Sequence, residues 1–145
     1  MIITFCGHSD FRPTATLEET LLSILETQVG NAQVDFYLGG YGNFDIFALR
    51  VGRLYQKTHP NVTLVFVTPY LYDARMSEKA QAYDTVLYPP FENVPPKFAI
   101  SRRNKYMAEQ AELVIGYITR SSGGAYQTYD YAKRKGRVTV NLAEL

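Results

Sequence analysis

The chain has 145 residues, of which 46% are apolar and 20% charged, a balance typical of a folded domain and unlike an intrinsically disordered segment. Its 15 basic and 14 acidic side chains give a formal charge of +1, which indicates neither a polybasic nucleic-acid clamp nor an acidic tail. One cysteine, Cys6, and two histidines, His8 and His59, exclude an internal disulfide, a cysteine zinc cluster and a three-histidine site, so we predict no metal.

The apolar runs of the sequence are all short. None approaches the roughly 18 residues that a membrane-crossing helix needs. The first residues read as a strand and lack the charged-then-apolar pattern of a signal peptide. We therefore expect a soluble, cytoplasmic chain with no membrane partner, folded as one domain over residues 1–145.

In its first half, the chain alternates between short apolar runs and helical repeats. Thr16 with Glu19 fits a capping box that opens a helix, whose apolar repeat ends near Gly30. A second apolar helical face runs from Phe44 to Tyr55. The β-branched run after it predicts a central strand. The predicted strands lie at residues 2–6, 34–38 and 62–67.

The second half continues this alternation after a weaker stretch. Residues 73–83 predict a short helix and residues 85–88 a short strand, followed by a proline-rich loop at 89–96. Helices are predicted at 97–111, with Ser101 as a cap for its main part, and at 125–135; strands are predicted at 113–118 and 138–142. Strands that alternate with helices over the whole length predict a three-layer, doubly wound α/β fold with a mostly parallel sheet.

Polar and glycine-rich segments follow four of the predicted strands. They lie at residues 7–12, 39–43, 68–70 and 119–124, whereas the opposite ends of the same strands have no such polar and glycine-rich segments. Ligands of open α/β sheets bind at the carboxyl ends of the strands, where helix N-termini present unpaired N–H groups. This asymmetry predicts a binding site at that edge of the sheet.

The glycines Gly39, Gly40 and Gly42 allow two interpretations. They let a ligand approach the backbone, or they only turn the chain after the strand. The dinucleotide pattern G-x-G-x-x-G and the Walker A loop are both absent from this sequence. We therefore predict no standard NAD or ATP site, and no cofactor.

The Ser-Ser-Gly-Gly segment at 121–124 opens a helix directly after a buried strand. Its N–H groups can approach a phosphate without interference from a Cβ, and Arg120 can neutralise the anion or lie in solvent. The alternative is simple N-capping by Ser122. A second cationic segment, Arg102 to Lys105, stands near a positive helix end and indicates an anion there, or a carboxylate from the fold itself.

Single side chains allow further alternatives. His8 follows the first strand and can act as an acid, a base or a ligand contact, or be a hydrogen-bonded loop histidine. Cys6 ends a buried strand, which favours an inert thiol. The chain has 12 tyrosines, which can stack a base or fill the core and its rim.

Three sequence blocks share a common arrangement with a known group of proteins. They contain Gly7, His8 and Arg12; Gly39, Gly40, Gly42 and Asp45; and Arg103, Asn104, Ser122, Gly123, Gly124 and Thr128. The C-terminal block combines an arginine-asparagine helix, a buried strand, a Ser-Gly-Gly turn and a further helix in that order. Together the blocks resemble the SLOG superfamily, the Rossmann-like group that unites the DNA-processing protein A family with the LOG phosphoribohydrolases; the likeness is closest to its YpsA-like branch.

The resemblance implies a nucleotide-type ligand held by these residues, and it leaves three functions open. The first is binding or sensing of such a ligand. The second is hydrolysis of a nucleoside monophosphate with Arg103, Asp130 and His8 as catalytic candidates, although Asp130 stands where LOG enzymes have glutamate and other motif residues are replaced. The third is single-stranded DNA binding, to which the near-neutral charge gives little support. A homodimer is a further expectation, because related folds often pair through helices.

Overall fold

Six short strands pair into one sheet in the computed structural model, which describes residues 1–70, 78–91 and 93–145. They are β1 (Ile2–Gly7), β2 (Val34–Leu38), β3 (Val62–Val67), β4 (Thr85–Leu87), β5 (Leu113–Tyr117) and β6 (Val138–Asn141). Their order across the sheet is β4-β3-β2-β1-β5-β6, and every neighbouring pair is parallel. The predicted fold class is thus confirmed.

Four helices cover the two faces of this sheet in the described part of the chain. They are α1 (Ala15–Val29), α2 (Asn43–Gln56), α3 (Ala99–Gln110) and α4 (Gly123–Arg134). Short 3-10 turns lie at Pro96–Phe98 and Leu142–Glu144. Helix α1 packs beside α2, and α3 packs beside α4, which gives the three layers.

The sheet has a topological switch point between β1 and β5. From β1 the chain moves outward through β2 and β3 to β4, and then crosses back to place β5 on the other side of β1. Gly7 at the end of β1 is paired with Tyr117 at the end of β5. Connections that leave two neighbouring strands in opposite directions open a crevice at their carboxyl ends.

The apolar core has a larger part on the α1–α2 side and a smaller part on the α3–α4 side. Alternation along β1 places Ile3 and Phe5 in the larger cluster and Cys6 in the smaller one. Alanines such as Ala108 and Ala132 fill the smaller cluster, so α3 and α4 can pack closely. Burial raises the pKa of the Cys6 thiol, as expected for an inert core cysteine.

Three predicted helix starts were wrong. Helix α1 is capped by Thr14, whose Oγ1 accepts a hydrogen bond of 3.1 Å from the N–H of Leu17, because Thr14 is extended whereas Thr16 already lies within the helix. Ser101 lies inside α3, which begins at Ala99 directly after a 3-10 turn. Helix α4 begins at Gly123, so both glycines belong to its first turn rather than to the preceding loop.

Part of the weak region between β3 and β4 is described. Glu78, Lys79 and Ala80 are helical, and the rest of the predicted helix up to residue 77 lies outside the described residues. The most β-branched strand, β3, was predicted to be central and does lie inside the sheet. The two strands in the middle of the sheet, however, are β2 and β1. None of the described helices combines the length and apolar character needed to cross a membrane.

Candidate functional site

A cavity of about 290 Å³ opens at the switch point, at the carboxyl ends of β1 and β5. Its volume lies near the lower end of the roughly 300–1,000 Å³ that small-molecule pockets occupy. We call it the first cavity. It is lined by Phe5, Cys6, Gly7, His8, Ser9, Tyr41, Asp45, Ile100, Arg103, Asn104, Met107, Arg120, Gly123, Gly124 and Ala125.

The N-terminus of α4 opens onto the first cavity. Ser122 is extended at the N-cap position, and within the described chain its side chain makes no capping hydrogen bond. Gly123 has a φ of +90°, which favours glycine, and a Cβ on Gly123 or Gly124 would meet no described atom within 4 Å. The first-turn N–H groups of this helix have no intrahelical acceptor and lie at the positive end of the helix dipole, and Gly123, Gly124 and Ala125 line the first cavity.

Arg103 is a buried cation on the wall of the first cavity, only 2% exposed. Its Nη1 donates hydrogen bonds to the carbonyl oxygens of Gly39 (2.8 Å) and Val67 (2.7 Å), the residues at the ends of β2 and β3. Its Nε donates to Oδ1 of Asn104 at 2.9 Å. The guanidinium thus ties two strand ends to α3 and holds a fixed positive charge beside the cavity.

Asp45 places a carboxylate beside this arginine. Its Oδ2 accepts a 2.8 Å hydrogen bond from the N–H of Tyr41, which fixes the turn before α2. Burial raises the pKa of Asp45 to about 6, although the Tyr41 hydrogen bond and the charges of Arg103 and Lys79 act in the opposite direction. The carboxyl group consequently changes charge just below neutral pH.

We expect Asp45→Asn to stabilise the protein relative to wild type as pH rises. The folded-state pKa of about 6 lies above the ordinary value of 3.8, so the contribution of Asp45 to stability falls as pH increases between these values. The difference in unfolding free energy between variant and wild type should move by roughly 2 kcal/mol towards the variant between pH 4 and pH 7. Urea unfolding at both pH values measures it, and an unchanged difference would contradict the assigned pKa.

His8 is buried, and one ring nitrogen is already engaged. The backbone N–H of Thr119 donates to its Nε2 at 3.0 Å, which leaves the ring proton on Nδ1 and joins the loops after β1 and β5. Burial, followed by the nearby Arg120 charge, lowers the pKa of His8. The ring is therefore neutral at physiological pH. This geometry matches the hydrogen-bonded loop histidine, while a role towards a ligand stays a prediction.

Arg120 stands at the rim with a half-exposed side chain. Its Nη1 lies 3.3 Å from Oδ1 of Asp10, whose side chain is 70% exposed. Such an exposed ion pair contributes little free energy. Arg120 can accordingly turn towards a bound anion at small cost.

A second cavity of about 300 Å³ is lined by residues of the loop that precedes α4 and of α4 itself. Asp130 lines this second cavity, and its Oδ2 accepts from Nε of Arg134 at 3.0 Å. Arg103 and Asp130, the paired catalytic candidates, therefore line different cavities. The second cavity is lined by Ile118, Thr119, Arg120, Ser121, Tyr126, Tyr129, Asp130, Lys133, Asn141 and Glu144.

The first cavity brings together half of the predicted ligand residues. They are Gly7, His8, Arg103, Asn104, Gly123 and Gly124. The other six, which do not line it, are Arg12, Gly39, Gly40, Gly42, Ser122 and Thr128.

Contacts within the fold explain the positions of several residues in this second group. A Cβ on Gly39 would come within 3.2 Å of Asp45, one on Gly40 within 2.7 Å of Phe66, and one on Gly42 within 3.0 Å of Ser9. Thr128 donates to the carbonyl of Gly124 within α4, and Arg12 is exposed. The roles of all six as ligand contacts stay predictions.

Ile100 and Met107 also line the first cavity but were not among the predicted site residues, and Tyr41 was predicted only as one of the tyrosines that stack a base or fill the core and its rim. Aromatic and apolar residues on helices and turns carry no distinctive signal, because in a sequence they resemble ordinary surface or core residues. Asp45 belonged to the second sequence block but was given no role of its own. For Arg120 the sequence left two alternatives open, an anion contact or a side chain in solvent. Asp45 comes three residues after the last glycine of the turn that follows β2, and Arg120 comes three residues after β5, so nearness to a strand end was the signal available for both.

Comparisons with known proteins give likeness in structure only. No family model matches the sequence, and no curated protein matches it. DNA processing protein A from Streptococcus pneumoniae is 16% identical with a TM-score of 0.63, and the match covers 94% of this chain and 48% of that one. The same protein from Helicobacter pylori is 16% identical with a TM-score of 0.62, covering 96% of this chain and 63% of that one.

A third solved structure is the molybdenum cofactor carrier protein from Chlamydomonas reinhardtii. It is 12% identical with a TM-score of 0.57, and the match covers 97% of this chain and 75% of that one. The chain spans about half to two-thirds of the length of the two DNA processing proteins. At these identities the likeness establishes the fold: the chain has the Rossmann-like α/β fold seen in DNA processing protein A.

Proposed function

We propose that this chain binds a nucleotide or a nucleotide-derived ligand, with a phosphate group at the start of α4 in the first cavity. The observation that carries the proposal is the uncapped turn at Gly123 and Gly124, which opens onto a cavity that two guanidinium groups also line. Backbone N–H groups at a helix N-terminus and arginine side chains are the usual partners of phosphate.

The charges around the first cavity favour an anion. Arg103 supplies a buried positive charge and Arg120 a movable one, whereas Asp45 is the carboxylate that lines the wall. Because the pKa of Asp45 is about 6, its opposing charge weakens as pH falls below neutral. We therefore expect a ligand whose phosphate does not itself titrate in this range, such as a cyclic nucleotide or ADP-ribose, to bind more tightly at pH 5.5 than at pH 8 in isothermal titration calorimetry.

A thermal-shift panel tests the proposal directly. The protein is mixed with nucleoside mono- and diphosphates, cyclic nucleotides and ADP-ribose, each at millimolar concentration. A ligand present at 100 times its dissociation constant stabilises the folded state by about 2.7 kcal/mol, a readily measured shift. Absence of stabilisation by every member of the panel would overturn the proposal.

We expect Gly124→Leu to abolish this binding without unfolding the protein. A Cβ there meets no described atom within 4 Å, and leucine favours a helix by about 0.8 kcal/mol over glycine, but its side chain would occupy cavity space. Affinity for the best ligand should fall at least 100-fold in isothermal titration calorimetry. Gln127→Leu, on the same helix and lining neither cavity, is the matched control. Equal affinities of both variants would exclude this place for the ligand.

Single-stranded DNA is a second candidate, because the Helicobacter pylori protein with this fold binds single-stranded DNA. A DNA strand would present the same phosphate chemistry to Gly123, Gly124 and Arg120. Binding of a labelled oligonucleotide whose affinity falls steeply with salt would favour it over a small ligand. An oligonucleotide that fails to compete with the best nucleotide would count against it.

Four finer predictions accompany the proposal: the YpsA-like branch of the SLOG superfamily, a single domain, a homodimer and a cytoplasmic location. Hydrolysis of a nucleoside monophosphate also remains a prediction. The separation of Arg103 from Asp130 gives it no support, because both were expected to act on one glycosidic bond. A clean preparation that releases no base from any monophosphate would dismiss it.

A further inference from the structure

We infer that the second cavity is a subsite for an uncharged heteroaromatic group, so that a bound nucleotide lies across the loop at 119–122 with its base there and its phosphate in the first cavity. This inference rests on the proposed function and adds the orientation of the ligand and the residues that recognise its base.

The second cavity has an aromatic wall provided by α4. Tyr126 and Tyr129 stand three residues apart, which places them on the same side of the helix. Tyr126 is partly exposed. The ring of Tyr129 packs against β5, where a Cβ on Gly116 would come within 2.9 Å of it. The close approach at Gly116 holds the Tyr129 ring in place, and the partly exposed Tyr126 beside it offers the more accessible ring for stacking with a base.

The charged groups around the second cavity balance one another. Arg120 and Lys133 face the same space as Asp130 and Glu144. A phosphate group gains little electrostatic free energy here, because two positive and two negative side chains offset one another. A nucleobase fits it better, because its amino groups can donate to carboxylates while its ring nitrogens and carbonyl oxygens accept from cationic donors.

The two cavities are close enough for one nucleotide. Arg120 lines both of them, and the loop between them leads into α4. Tyr126 and Tyr129 lie three and six residues after Gly123, which corresponds to about 4.5–9 Å along the helix axis. That span is comparable with the distance between the base and the phosphate of one nucleotide.

The test compares ligands with and without a base. Binding of AMP, GMP, CMP, UMP and ribose 5-phosphate is measured by calorimetry for wild type, Tyr126→Ala and Tyr126→Phe. We expect Tyr126→Ala to weaken the tightest mononucleotide about tenfold, as loss of one stacking contact predicts, and to leave ribose 5-phosphate unchanged. Tyr126→Phe retains the ring and should restore most of the affinity.

The outcomes separate this inference from the proposed function. If a mononucleotide binds and Tyr126→Ala leaves its affinity relative to ribose 5-phosphate unaltered, the subsite is wrong and the phosphate site stands. If ribose 5-phosphate binds as tightly as every mononucleotide, the base makes no contact and the subsite is again wrong. If Gly124→Leu does not weaken the mononucleotide, or if none of these ligands binds, the proposed function and the subsite fail together.

Discussion

Replacing Arg103 with alanine is expected to lower the free energy of unfolding by about 3–5 kcal/mol. The guanidinium donates to the backbone carbonyls of Gly39 and Val67, and its removal leaves both without this donor in a buried place. The substitution also removes a positive charge that lowers the pKa of Asp45, so the charged carboxylate of Asp45 loses a nearby stabilising opposite charge. Urea unfolding followed by far-UV circular dichroism measures the loss.

The adjacent arginine provides the matched control. Arg102 is part-exposed and pairs with Glu109 at 3.0 Å, so Arg102→Ala should cost less than about 1 kcal/mol. If Arg103→Ala does not fold, Arg103→Lys keeps the charge and one donor and should recover part of the stability. Equal losses for Arg102→Ala and Arg103→Ala would show that Arg103 does not hold the strand ends together.

Gly7→Ala is expected to destabilise the fold by roughly 1–3 kcal/mol through overpacking. A Cβ on Gly7 would overlap the ring of Phe44, which is itself completely buried between α2 and the sheet. The ring cannot move away easily, because Phe11 packs edge-on against it at 5.1 Å. The measurement is again the urea midpoint of the purified variant.

Gly124→Ala is the control for this substitution. It makes the same chemical change at a position where a Cβ meets no described atom within 4 Å, so its stability should equal or slightly exceed that of wild type. A Gly7→Ala variant as stable as Gly124→Ala would contradict the close approach of Phe44 to β1. Together the two variants separate glycines needed for packing from glycines that leave space for a ligand.

The alternation of strands and helices was visible in the sequence because short continuous apolar runs and helical apolar repeats both report burial. The bounds of β2 and β3 agree with the predicted runs at 34–38 and 62–67. Helix starts were less predictable, since Thr14 and Thr16 are both plausible caps and only the direction of the entering chain selects between them. The rule that parallel crossovers keep one hand then places helices on both faces, because the strand order reverses at β1.

The position of the first cavity at the strand ends could also be predicted from the sequence, because glycine and hydroxyl residues cluster there. What each residue does depended on partners far away along the chain. Arg103 was predicted to meet an anion or a carboxylate near a helix start, yet its buried guanidinium donates to carbonyls 64 and 36 residues away. Gly39, Gly40 and Gly123 are the same amino acid after similar strands, but only the packed structure fills the space beside the first two and leaves it open beside the third. Local patterns record burial and turning, whereas the contacts that assign a role to a charge or a glycine form only when distant segments meet.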